Sequence, residues 1–128
     1  RDEIHPVTST SRVSGLAVRF DIDAGTCLAE LRRGGGRGIA VSDQEVFTAQ
    51  TQMIQEEGIW CEPAGAAALA GCLRACDREW VKRGESVVCI VSGHGFKDPD
   101  SLLTIPDGHA VADIDESQIG ERLWEVHS

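Results

Sequence analysis

The sequence predicts an α/β layer fold, and three observations carry the prediction. Ser42-Asp43-Gln44-Glu45 is a capping box at the head of an amphipathic pattern. Pro63 opens a second helical pattern just after the apolar triplet Ile59-Trp60-Cys61. VVCIV over residues 87–91 is a short, β-branched, wholly apolar run, which reads as a strand buried on both faces, as in a parallel sheet. With a helix at residues 28–31 and a short strand at 39–41, the order is helix, strand, helix, helix, strand, the grammar of an α/β layer fold.

Residues 5–14 are polar and hydroxyl-rich, and the more apolar 15–20 fits a short helix or a strand equally well. The helix around residues 28–31 stops at Arg32-Arg33-Gly34-Gly35-Gly36, where basic residues and then glycine suit a helix C-terminus. After the capping box, Val46, Ala49 and Met53, with Phe47 and Ile54 beside them, form an inner helical face that ends near Gly58. The second helix is expected from about Ala64 to Lys82, with Leu69, Leu73, Cys76 and Trp80 on one face and Lys82-Arg83-Gly84 at its end. After Pro99 the chain is acidic and irregular, with a terminal helix over 117–126 placing Ile119, Leu123 and Val126 inward.

A chain of 128 residues can bury one sizeable core but not two. A single domain over 1–128 is expected, with 107–128 as an acidic tail. Apolar residues make up 41% and charged residues 26%, and no run approaches a bilayer span, so no membrane association is expected. The net charge of -9, with the arginines scattered, argues against nucleic acid as a partner. The start, RDEIHPVTSTS, lacks both Met and the apolar core of a signal peptide, so the chain is expected to be processed or part of something longer. Cys27, Cys61, Cys72, Cys76 and Cys89 are an odd set without C-x-x-C spacing, and four lie in apolar runs. Reduced, buried thiols in a cytoplasmic protein are expected rather than a disulfide framework.

Ligands of open α/β sheets bind beyond the carboxyl ends of the strands, where Ser92-Gly93-His94-Gly95 stands. The glycines admit close backbone approach, Ser92 offers a hydroxyl that donates or accepts, and His94 brings an imidazole, the side-chain type whose ordinary charge change lies nearest neutrality. The same residues equally describe a glycine turn with a solvated histidine. Glu62, before Pro63-Ala64-Gly65-Ala66-Ala67-Ala68, places a carboxylate at a helix start followed by a face with almost no bulk. Helix capping with tight helix–sheet packing explains it as well as a site does. Gly34-Gly35-Gly36-Arg37-Gly38 precedes a strand, whereas phosphate cradles follow one, so it is read as a turn. No metal site is expected, because Cys72 and Cys76 have no second ligand pair at zinc spacing. No G-x-S-x-G frame supports a serine hydrolase.

Taken together, VSDQEVFTAQTQMIQEEGIWCEPAGAAALAGCL and GESVVCIVSGHGFKDPD resemble the C-terminal part of threonine synthase-like, fold type II pyridoxal-phosphate enzymes. TSRVSGLAV over 10–18 looks like the segment preceding them. The resemblance implies a three-layer, parallel-sheet large domain of the tryptophan synthase β type. It implies pyridoxal phosphate as cofactor, with Ser92 as the hydroxyl at the pyridine nitrogen, Glu62 as a carboxylate near the same edge, and Gly93 and His94 beside them. A hydroxyl partner leaves the ring a mild electron sink, suited to elimination and replacement. Such enzymes convert O-phosphohomoserine and water to threonine and phosphate, and close relatives dehydrate serine or threonine.

The family's Schiff-base lysine and phosphate loop belong to segments upstream, and neither Lys82 nor Lys97 matches the lysine's position. No catalytic residue is therefore assigned, and weak or absent cofactor binding and no turnover are expected of the chain alone. The other expectation is a non-catalytic, homo-oligomerising module with Trp60, Trp80 or Trp124 as anchors.

Overall fold

The computed structural model describes residues 4, 5, 7–18 and 22–104. Three α-helices, α1 (Ala24–Arg33), α2 (Asp43–Glu57) and α3 (Pro63–Asp77), are joined by irregular segments and three 3-10 turns. The acidic tail, with its expected terminal helix and Trp124, lies outside the described residues.

α2 starts where its capping box lies. The Ser42 hydroxyl accepts from the Glu45 amide at 3.3 Å, and the Glu45 carboxylate accepts from the Ser42 amide at 2.6 Å. Two orphan amides of the first turn are thereby satisfied reciprocally. The helix ends at Gly58, whose φ of 66° closes the last turn in the left-handed region that favours glycine. Val46, Ala49 and Met53 are buried as expected, and Gln50, a polar residue, is buried among them.

α3 starts with Pro63 in its first turn but ends at Asp77, five residues short of expectation. Its buried face is Gly65, Ala66 and Ala70 rather than the bulky face, since Leu73, Cys76 and Trp80 are exposed. Small residues let the α2 and α3 backbones approach closely, and Val13, Val46, Ala49, Met53, Cys61, Ala66 and Ala70 form one core. Arg74 of α3 closes the far side on Glu45 of α2, at 2.8 Å. Past Asp77 nothing rewards further helix; Glu79 turns left-handed, with φ 58°, and Trp80 lies between the guanidinium groups of Arg37 and Arg78.

Neither expected strand forms a ladder among the described residues, where the only β pairing is a single antiparallel bridge between Cys61 and His94. Residues 39–41 satisfy their apolar groups on helices instead: Ile39 packs at Gly71 of α3, and Val41 against the core. Residues 87–91 were expected to be buried on both faces, yet Val88 is 88% and Ile90 76% exposed. Strand propensity is realised only when a neighbouring strand takes the amides and carbonyls, and the described residues supply none here.

The ambiguous stretch after residue 14 forms a 3-10 turn, Ser14–Leu16. Asp43 holds the segment before it, accepting from the Ser11 hydroxyl and the Arg12 amide, both at 2.7 Å. The helix expected at 28–31 is the second half of α1, which ends at Gly34; Gly34 and Gly35 form the expected turn. All five cysteines are free thiols, but only Cys61 is buried; Cys27 and Cys76 are exposed. An apolar run identifies a helix without saying which side of it faces the core, and Cys76 stands on the solvent side.

Candidate functional site

Two short arms build the site. The first is residues 60–62, between α2 and α3; the second is residues 92–98, following the apolar run. They meet through the Cys61–His94 bridge, with the Glu62 amide donating to the Gly93 carbonyl at 3.1 Å and the Gly95 amide donating to the Trp60 carbonyl at 3.2 Å. The head of α3 comes equally close, because a Cβ on Gly65 would stand 3.1 Å from the Gly93 oxygen.

This pairing brings the four sequence-predicted residues together. Glu62 precedes α3 as its N-cap but makes no side-chain cap hydrogen bond. Its carboxylate turns instead beneath Gly93, where a Cβ would overlap Glu62 Oε1. Gly93 thus leaves room for the Glu62 carboxylate, which would have to shift if a side chain stood there. The Glu62 side chain is 9% exposed, and its charge is met by Lys97 Nζ at 3.0 Å. Capping, the structural alternative for Glu62, is therefore not what its side chain does.

His94 begins a 3-10 turn, Gly95–Lys97, and its Nδ1 accepts from the Phe96 amide at 3.3 Å. A neutral ring in this arrangement carries its proton on Nε2. The imidazole stacks on Phe96 at 4.7 Å and meets the Trp60 ring edge-on at 5.5 Å. Trp60 presses its indole against Gly95, and its Nε1 is buried without a hydrogen-bond partner among the described residues.

Ile59, Trp60, Val91, Ser92, Gly93 and His94 line a groove of about 260 Å3. Ser92 is exposed on its wall, and among the described residues no hydrogen bond engages its hydroxyl. Glu62 lies behind Gly93 and is not part of the lining. No group of three metal-ligating side chains occurs among the described residues.

Three participants were not singled out from the sequence. Gln50, on α2, donates from Nε2 to the Cys61 carbonyl at 2.8 Å and to Ser101 Oγ at 3.0 Å. Ser101 donates in turn to the Asp98 carbonyl at 2.7 Å. Ser14 reaches Asp98 from the N-terminal segment at 3.2 Å. For Gln50 a signal did exist: it stands four residues after Val46 and three before Met53, on the helix face assigned to the core.

A family model described as pyridoxal-phosphate dependent enzyme matches residues 1–93. The threonine synthase of Mycobacterium bovis is 42% identical over 88 residues, 69% of this chain and 24% of that protein. Those of Methanosarcina acetivorans and Methanocaldococcus jannaschii are 35% identical over 111 residues and 38% over 113, covering 87% and 88% of this chain and 27% and 28% of theirs. The chain thus spans about a quarter of the length of these curated relatives. Among the described residues no helix is long and apolar enough to cross a membrane. With the family model covering most of its length, the chain belongs to the pyridoxal-phosphate dependent enzymes, in their threonine synthase-like, fold type II group.

Proposed function

We propose that this chain forms one wall of the cofactor site of a cytoplasmic, threonine synthase-like enzyme, with Ser92 at the pyridine nitrogen and Gly93, His94 and Glu62 around that edge. The carrying observation is the Ser92 hydroxyl, free of partners among the described residues and set in a groove walled by Trp60 and His94. A groove with aromatic walls and one unengaged polar group fits a flat ring with one polar edge. Among the described residues no lysine or arginine lines it, which supports a phosphate group being held elsewhere in the enzyme.

Bound pyridoxal phosphate supplies an electron sink for the α-carbon of an amino acid. Ser92, a neutral hydroxyl, holds the ring nitrogen by a hydrogen bond without lending it a full proton, which keeps the sink mild. Glu62, tethered by Lys97, stays behind Gly93 as a fixed negative charge. The substrate class is a small amino acid with a leaving group, O-phosphohomoserine and water yielding threonine and phosphate, with serine or threonine dehydration as the neighbouring alternative. The relatives described above, all threonine synthases, support the first.

In this reading the chain is the C-terminal portion of the large domain, residues 87–91 become a strand of a three-layer parallel sheet, and 107–128 form an acidic tail. Lys97 is engaged with Glu62, and Lys82 lies in an exposed turn closed by Glu85. The covalent anchor of the cofactor is then a lysine outside this chain, which alone binds weakly and does not turn over. The exposure of Val88 and Ile90 favours a second reading, a homo-oligomerising module that pairs this run with another copy.

The test is to titrate the chain with pyridoxal phosphate, follow the backbone amides by NMR, reduce with borohydride and map any adduct. Weak shifts confined to Ser92, Gly93 and His94, lost in Ser92→Ala, are expected. Ser92→Ala should change stability by no more than about 0.5 kcal/mol, as at other exposed sites. Shifts scattered away from the groove, or a stoichiometric adduct at Lys82 or Lys97, would sink the proposal.

A further inference from the structure

We propose that Gln50 is a positioning residue that holds the two arms of the groove in register, an inference that rests on reading the groove as the cofactor wall. Among the described residues the arms are joined by the two backbone hydrogen bonds that make up the Cys61–His94 bridge, by the Trp60 ring against His94 and Phe96, and by the Glu62–Lys97 pair near the surface. Gln50 is the tie that comes from inside. It is fully buried on α2, and its one amide nitrogen reaches the first arm directly, at the Cys61 carbonyl at 2.8 Å, and the second arm through Ser101, just beyond it, at 3.0 Å. Ser101 closes the 93–98 arm by donating to the Asp98 carbonyl at 2.7 Å, so its hydroxyl oxygen is left to accept from Gln50.

The orientation of the amide follows from its partners. A flipped Gln50 would set its oxygen against the Cys61 carbonyl, two acceptors with no proton between them. In the observed orientation Oε1 is buried without a partner among the described residues. An unmet acceptor of this kind offsets much of what two hydrogen bonds contribute to global stability. Gln50 therefore contributes less to the overall fold than to one local relation, the distance and angle between Cys61 and Ser101.

The test compares the full chain with Gln50→Leu, and with Gln50→Met should the leucine variant not fold, by amide hydrogen exchange without cofactor. The Glu62 and Gly95 amides, which donate across the arms, are expected to exchange at least about tenfold faster, while interior amides of α2 and α3 change by less than about threefold. Uniform acceleration of arms and helices would reduce Gln50 to core packing, and unchanged arm amides would remove its role altogether; either overturns the proposal. Pyridoxal phosphate titration of the same proteins separates this idea from the one beneath it. Weakening of about tenfold or more in the variant supports both. A wild-type groove that does not respond, with arms still loosened in the variant, overturns the cofactor reading and leaves the clamp standing.

Discussion

The α2–α3 pair and the arm running from residue 87 to 98 lie against one another but are held by different means. The helices satisfy their own backbones, and their contact is an apolar seam of Val46, Ala49, Met53, Ala66 and Ala70. The arm leaves much of its apolar run exposed and depends on a few tethers: the two hydrogen bonds of the Cys61–His94 bridge, the Trp60 ring contacts, the Lys97 ion pair and the hydrogen bonds through Gln50 and Ser101. Dense packing makes the helices the stable body, while a sparsely tethered arm opens at lower free energy. The groove lies where the two meet, so its rigidity is limited by the arm.

The largest effect should come from breaking the body. Met53 is buried at the seam, with its sulfur 3.7 Å from Cys61 Sγ. Met53→Ala should cost about 2–5 kcal/mol through lost contacts and the cavity left behind, measured by urea unfolding of helical circular dichroism. A loss below about 1 kcal/mol would mean that the seam is not the stable body described above.

A smaller and differently distributed effect is expected at the junction. A Cβ on Gly95 would overlap the Trp60 indole, a flat and rigid neighbour that cannot give way like a flexible side chain. Gly95→Ala should cost about 1–3 kcal/mol as overpacking, with tryptophan fluorescence shifting at lower urea than the helical signal. Coincident transitions would show that arm and body unfold as one unit and would erase the contrast between them.

What the sequence made legible follows the same division. The start of α2 was readable because a capping box is complete within four residues, and its inner face because helical periodicity is local. The end of α3 was misread because periodicity favoured the bulky stripe of Leu69, Leu73, Cys76 and Trp80, whereas close approach to α2 selected the stripe of Gly65, Ala66 and Ala70. Strand pairing at 87–91 was beyond local reading, since a ladder is a relation between segments. At the site, Ser92, Glu62, Gly93 and His94 were singled out individually, partly through resemblance. Their meeting through the Cys61–His94 bridge, and the Glu62–Lys97 pair spanning 35 positions, are long-range facts that spacing does not carry. Gln50 was missed because a polar residue on an apolar face was passed over, although a buried amide must have partners.

Acid should give the smallest effect, and it acts on the near end of the body rather than on the seam. Asp43 is held below the ordinary aspartate range by the Arg12 amide first and the Ser11 hydroxyl second. Glu45 is lowered by the Ser42 amide and hydroxyl, with Arg74 assisting. Both carboxylates hold protons less readily in the folded chain than in the unfolded one, so their stabilisation is complete above the ordinary carboxylate range, about pH 4. It is lost as the pH falls through the lowered folded values, when protonation weakens the acceptors of Ser11, Arg12 and Ser42. Urea midpoints measured across this window should therefore decline with acid, and Asp43→Asn should flatten part of the decline. Ser42→Ala should flatten less, because it removes the hydroxyl while the Ser42 amide, the larger influence on Glu45, remains; losing the cap costs about 1 kcal/mol at neutral pH. A decline equally steep in both variants would show that the acid-sensitive tether does not lie at the start of α2.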